Sequence, residues 1–447
     1  MANLRSGFFA GGLIYALGQL ANFAFQLSLL QAFGLDGYGQ VGLAHLLVTT
    51  ILFVGDLGYS ALFLREDTTA PLWEARWRVA LLYRLCLTIL LDVLAVLGWW
   101  MIYGVGGEGF GYLLGAIPAT LFGLIGFSAI LLAQGRQCSG FLVQQVAWLT
   151  ALLVWLFVRR YPGWSSGVFA GLAVSLGFAA QALVNFSVLR RPALLWPARS
   201  PLGREMLRSA LHMSAMGIAG IINDRLTPFL LVYVAPAFLP IYLLLNHAMS
   251  GASGVINQFN RLLLIQAKTT QGRRSAYLLA SWLLLGVTLG LQTLPMIVKQ
   301  WGDSRAQAWL DLAFPVLLGW GISTVASVPS VLLIGQGKER ALAKVVVWGL
   351  VCNTALQLSA TALGSAEALL WGRMFCLVAM LLASLRLCGL VLTRPGYWLS
   401  GSAALAALAM ATPWFWWASV GLLLCTAVAA SQQRLIFCEI ALGNRPS

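Results

Sequence analysis

Two stripes of polar side chains sit in stretches that are otherwise apolar enough to face lipid. Tyr15, Gln19, Asn22 and Gln26 recur at spacings of four, three and four, which puts them on one face of a helix. Asn246, Ser250, Ser253, Asn257 and Arg261 do the same further along. Hydrogen bonds between membrane helices contribute only about 1 kcal/mol each as packing glue. A run of four or five polar groups exceeds that need and reads as the wall of a water-filled cavity. Asn223, from a third stretch, is expected to line the same cavity. Amides and hydroxyls suit a passenger rich in neutral donors and acceptors.

The charged residues add a sign. Six basic side chains lie inside apolar stretches: Arg84, Arg225, Arg261, Lys344, Arg373 and Arg386. Three carboxylates lie deep within them: Asp56, Asp92 and Asp224. Charge inside a bilayer is costly, so each is a functional candidate. The basic excess favours an anionic passenger. Guanidinium offers planar, multiply donating contacts to phosphate oxygens, which makes Arg225, Arg261 and Arg373 the candidates for holding an anionic headgroup. Asp56, Asp92 and Asp224 are expected to form ion pairs or carry coupling charge. Arg84, Lys344 and Arg386 lie near helix ends, where long stems reach the headgroups. His45 and His247 are able to titrate near neutral pH, although a lone membrane histidine is ordinarily just hydrogen-bonded.

Other chemistry finds no foothold. The seven Cys have no metal-ligand spacing and read as small packed side chains. There is no H-E-x-x-H, G-x-S-x-G or Walker A pattern. The expectation is therefore a non-enzyme without metal, cofactor or nucleotide.

These side chains must be positioned by membrane helices. Apolar residues make up 60% of the 447-residue chain and charged ones 9%, against about 25% charged in soluble domains. A bilayer core needs roughly 20 apolar residues per helix. Such stretches fall near 8–30, 40–63, 79–103, 111–133, 141–158, 166–189, 209–231, 238–265, 276–298, 308–334, 341–363, 367–392, 397–412 and 414–431. The fold expected is an all-α polytopic membrane helix bundle of about fourteen spans. The N-terminal stretch reads as a retained span, not a cleaved signal.

The net charge of +14 is not a nucleic-acid signature. Threaded through fourteen spans, 18 of the 28 Lys and Arg fall on one side, four on the other and six within helices. Positive residues accumulate in cytoplasmic loops, so both termini are expected in the cytoplasm. The longest interhelical stretch, 190–208, carries three Pro and five Arg and reads as an interfacial linker. Trp73 and Trp77 are four apart and suggest a short interfacial helix before the third span.

The linker separates two similar halves. Gln134-Gly135-Arg136 ends the fourth span and Gln336-Gly337-Lys338 the tenth, an offset of 202 residues. The same offset aligns the first and seventh spans. Six spans per half is an even number, so the halves share an orientation and relate by a parallel pseudo-two-fold, an arrangement suited to rocking around a central site. The expected parts are 1–189, the linker 190–208, 209–392, and 393–447 with two extra helices and a tail.

Several segments resemble a known family. Gly12-Leu13-Ile14-Tyr15, Phe33-Gly34-Leu35-Asp36-Gly37-Tyr38-Gly39 and Gly55-Asp56-Leu57-Gly58-Tyr59 resemble the opening of Wzx-type polysaccharide flippases. These belong to the multidrug/oligosaccharidyl-lipid/polysaccharide exporter (MOP) superfamily. Asn223-Asp224-Arg225 through Tyr242, and Gly335 to Arg340 followed by Asn353, look like two later passages. The resemblance covers about the first 390 residues. It implies a flippase for polyprenyl-diphosphate-linked oligosaccharide in a bacterial inner membrane, serving O-antigen or exopolysaccharide assembly. The implied partners are that glycolipid, membrane lipids and polysaccharide-assembly proteins, with no nucleic acid. The final helix pair would resemble the lipid-tail groove of lipid II flippases. A multidrug exporter of the same superfamily is the nearer alternative. A membrane glycan polymerase or ligase is the more distant one, since the long outer loop it would need is missing.

Overall fold

In a computed structural model the structure describes residues 2–65, 73–161, 163, 166–200, 203–266 and 304–388, with six scattered positions between 283 and 293. Every element among them is helical. The helices are α1 (Ala2–Gly55), α2 (Tyr59–Arg65), α3 (Trp73–Tyr103), α4 (Glu108–Gly123), α5 (Ser128–Ala133), α6 (Gln137–Val158), α7 (Gly167–Leu189), α8 (Gly203–Val234), α9 (Leu239–Gln266), α10 (Ser304–Gly335), α11 (Glu339–Ala362) and α12 (Ala366–Cys388). Nine candidate spans among the described residues are long and apolar enough to cross a membrane. The expected spans at 276–298, 397–412 and 414–431 lie outside the described residues, apart from those scattered positions.

The chain divides into two compact units, Met1–Val255 and Ile256–Ser447. In the first, α1 is a hairpin of two arms broken at Gly34 (φ 67°, ψ −175°), a backbone conformation open to glycine. Tyr38 on the second arm donates to Gln26 Oε1 on the first at 3.1 Å, and Phe25 lies 6.3 Å from the His45 ring. The arms are thus antiparallel neighbours.

Hydropathy runs unbroken through two places where the backbone does not. The expected span 40–63 breaks after Gly55, where Leu57 (φ 52°) and Gly58 (φ 74°) both turn left-handed. The expected span 111–133 breaks between α4 and α5. There the side chain of Asn185 takes over: its Oδ1 accepts from Phe127 N at 2.9 Å, and its Nδ2 donates to Gln181 O at 2.8 Å. A buried side chain thereby satisfies backbone that the helix leaves open.

Small residues bring α4 and α7 together. Gly111 and Gly115 face Val168 and Gly171, while Gly167 and Gly171 face the backbone of Glu108 and Tyr112. A Cβ at Gly115, Gly167 or Gly171 would collide with a facing carbonyl oxygen. Both helices therefore carry a small-xxx-small face, the usual device for close membrane packing. Ser175 Oγ bridges the seam, donating to Gly115 O at 2.7 Å and accepting from Ala119 N at 3.2 Å.

The linker packs onto the base of α3. A 3₁₀ turn at Pro192–Leu195 presents Leu194 O to Trp77 Nε1 at 3.2 Å, and Arg78 Nε donates to Trp196 O at 2.9 Å. Arg191 pairs with Glu74. Trp73 and Trp77 do not form a separate interfacial helix; they open α3 and are buried against Phe63, Phe127, Leu194 and Met206. Two indoles four residues apart share one helix face, and here that face meets a core.

In the second unit, Phe314 and Leu318 of α10 pack with Met374 of α12, flanked by Trp371. The end of α9 joins this unit through Asn260 Nδ2, which donates to Ser327 Oγ at 2.8 Å. Lys338 Nζ donates to Leu387 O at 2.9 Å.

The two Gln-Gly turns match bond for bond. Gly135 has φ 75° and Gly337 φ 74°. Arg136 N donates to Leu131 O at 2.9 Å and Gly135 N to Leu132 O at 3.0 Å. Lys338 N donates to Leu333 O at 2.8 Å and Gly337 N to Ile334 O at 3.1 Å. Both are Schellman caps, and every partner is displaced by the same 202 positions.

Candidate functional site

The first polar stripe faces α9. Gly254 lies against the Tyr15 hydroxyl, and a Cβ built on Gly251 would sit 3.4 Å from Gln19 Cβ. The surface of α9 opposite Tyr15 and Gln19 is therefore glycine. On α9 itself Asn246 and Ser253 are half-buried and Ser250 is exposed. Asn257 and Arg261 lie on helical backbone, but their side chains are outside the described residues. Deeper along α1, Gln26 is fully buried and holds Tyr38. Asn22 Oδ1 and Gln26 Nε2 are buried without a hydrogen-bond partner in the structure.

Beyond this stripe the structure assembles a cluster that the residue pattern alone left scattered. His45, from the second arm of α1, is fully buried. Its Nδ1 is 2.6 Å from the Tyr112 hydroxyl of α4. Its ring centre is 5.5 Å from Trp148 of α6 and 5.1 Å from His247 of α9, edge to face with the latter. Half-buried Arg225 of α8 lies within electrostatic reach of both imidazoles. Gly39 and Gly42 permit the approach, facing Pro240 and Leu243. A signal for this pair is present in the sequence. His45 and His247 are 202 positions apart, the offset that relates the two Gln-Gly caps.

The carboxylates behave differently from one another. Asp56 Oδ1 meets Arg84 Nη2 at 3.0 Å and accepts from Ser60 Oγ at 2.8 Å; Oδ2 accepts from Ser60 N at 3.1 Å. Arg84 is 4% exposed, with its guanidinium 5.3 Å from the Trp77 ring centre. The expected snorkelling of Arg84 is thus corrected: a carboxylate is within reach, so the side chain turns inward to it. Lys344 and Arg386 are exposed. Asp92 of α3 is buried; Thr120 Oγ1 donates to its Oδ2 at 2.7 Å, while Oδ1 has no hydrogen-bond partner. Asp224 is exposed on α8, and its neighbour Asn223 is buried. Arg373 is half-buried on α12 in the second unit. Among the described residues no cluster of three or more His, Cys, Asp or Glu is placed to hold a metal.

No family model matches the sequence. No curated protein matches it either. Solved structures do match in fold. The MATE multidrug transporter DinF-BH aligns over 86% of this chain and 94% of its own, with 14% identity and a TM-score of 0.64. The lipid II flippase MurJ, in an inward closed conformation, aligns over 98% of this chain and 100% of its own, with 13% identity and a TM-score of 0.55. A MOP superfamily transporter from Pyrococcus furiosus aligns over 86% and 95%, with 14% identity and a TM-score of 0.54. The chain has the all-helical fold of these multi-pass membrane transporters.

Proposed function

We propose that the protein is a flippase that carries a polyprenyl-diphosphate-linked oligosaccharide across a bacterial inner membrane by alternating access. Both termini would then lie in the cytoplasm, and the product would feed O-antigen or exopolysaccharide assembly. The observation that carries the reading is the company Arg225 keeps. Its guanidinium stands near two imidazoles, and one of them, His247, is on the helix that Tyr15 and Gln19 face. Asp56 is neutralised elsewhere by Arg84. A basic centre flanked by neutral donors and acceptors suits a diphosphate joined to sugars. The alignment along the full length of a lipid II flippase supports a lipid-linked passenger.

The multidrug-exporter alternative draws on the higher TM-score with a MATE multidrug transporter. A cationic drug would meet an unfavourable charge at Arg225. Cells lacking the protein decide between the readings. Accumulation of a lipid-linked oligosaccharide on the cytoplasmic leaflet, relieved by the restored gene, is the expected result. Normal glycolipid distribution together with heightened sensitivity to cationic dyes would overturn it.

A further inference from the structure

Three groups on three helices converge at one depth. His45 lies 11 residues past the Gly34 break, Arg225 lies nine before the end of α8, and His247 lies eight after the start of α9. At 1.5 Å per residue all three sit roughly 12–16 Å from the turns at that end. That is near the midplane of a hydrocarbon core about 30 Å thick, where transporters of repeated architecture hold their substrates.

Each imidazole presents an unpartnered Nε2 that can carry its proton. Both are more than nine-tenths buried, and Nε2 of each has no hydrogen-bond partner. The 2.6 Å contact of His45 Nδ1 with the Tyr112 hydroxyl admits either direction; the tautomer in which the hydroxyl donates carries its proton on Nε2. A buried N–H without an acceptor is destabilising. Two such rings, 5.1 Å apart and within reach of a guanidinium charge, are a poor solution for apolar packing. They are a good one for gripping an anion whose oxygens accept from both. The 202-residue relation makes the two rings equivalent positions of the repeat, and a bridging group of two equivalent phosphates calls for such a pair.

We propose that His45 and His247, with Arg225, form the seat of a diphosphate: each Nε2–H donates to a phosphoryl oxygen while the guanidinium supplies charge. Calling that diphosphate the headgroup of a glycolipid rests on the flippase reading; the seat itself rests on geometry.

The chain contains three histidines, His45, His212 and His247, so the full-length protein labelled with 15N-histidine has few imidazole signals. In detergent, inorganic pyrophosphate should shift two of them and leave the third. His45→Phe and His247→Phe keep a ring but lose the donor, and each should weaken pyrophosphate binding roughly tenfold, the worth of one hydrogen bond to a charged group. Farnesyl diphosphate should give the same shifts at lower concentration, and phosphatidylglycerol should not. Equal shifts with phosphatidylglycerol would make this a phospholipid seat and overturn the proposal. So would unmoved histidines in the parent protein, a result that holds even if the Phe variants fail to fold. Unmoved histidines in a protein that flips glycolipid overturn the seat alone. Shifted histidines in a protein that flips none overturn the flippase reading alone.

Discussion

Asp56 and Arg84 meet at 3.0 Å and tie the turn after α1 to the buried face of α3. The pair is unequal, with side chains 21% and 5% exposed. The Arg84 charge therefore depends on its partner more than the reverse. Asp56→Asn leaves a buried cation uncompensated, which costs about 3 kcal/mol. The expected outcome is a sharp drop in thermal stability of the detergent-solubilised protein, by far the larger part recovered when Arg84→Gln is added. Equal stability of Asp56→Asn and the parent would mean that the pair contributes nothing.

Asp92 strands no cation when neutralised. Its one hydrogen bond comes from Thr120, and an Asn side chain can still accept it. Asp92→Asn should therefore reach the membrane at near-parental levels while slowing transport, if the carboxylate carries coupling charge. Thr120→Val removes the donor and should cost about 1–3 kcal/mol of stability. Parental transport rates in Asp92→Asn would confine this residue to a structural role.

The approach of α1 to α9 can be fixed covalently. The 3.4 Å separation of Gln19 Cβ and a Cβ at Gly251 lies close to the range that disulfides span. A Gln19→Cys/Gly251→Cys protein should cross-link on mild oxidation, and export should stop until the bond is reduced. Undiminished export by the cross-linked form would show that these helices need not separate during transport.

Arg225 tests the binding chemistry. Arg225→Ala should abolish export without lowering membrane levels, a loss of roughly one to two decades in affinity for a diphosphate. Arg225→Lys keeps the charge but not the planar fork, so export should return only in part. Complementation of an export-deficient strain, with immunoblots of membranes, measures both. Full complementation by Arg225→Ala would remove this residue from the site.

The helices are legible because hydropathy is nearly sufficient in a bilayer: it places a span at 166–189, and α7 is Gly167–Leu189. The breaks are not. Nothing near Phe127 announces that Asn185, 58 positions away, will satisfy its backbone; at Leu57 the flanking Gly55, Asp56 and Gly58 do mark a turn, but hydropathy averaged over 40–63 passes over them. In the site, Arg225 is legible by its cost in lipid. The histidines are not, because each taken singly is an ordinary lone membrane histidine. Their shared offset joins them, and it emerges only when the repeat is applied to individual polar residues. The Arg84–Asp56 pair depends on how α3 is rotated against the turn after α1, which residue types do not specify.

Gly34 separates two very different molecules. Without its turn, the 54 residues of α1 would form a rod roughly 80 Å long, far more than one bilayer can cover. A single α-carbon without a side chain lets the nascent chain fold back within the lipid, so that its first two spans can be threaded as one insertion unit. Gln26 and Tyr38 are the latch that holds that unit shut, and both belong to the hairpin itself. The register of the arm bearing His45 is thus fixed by contacts local to the hairpin, apart from the helix that brings the second histidine.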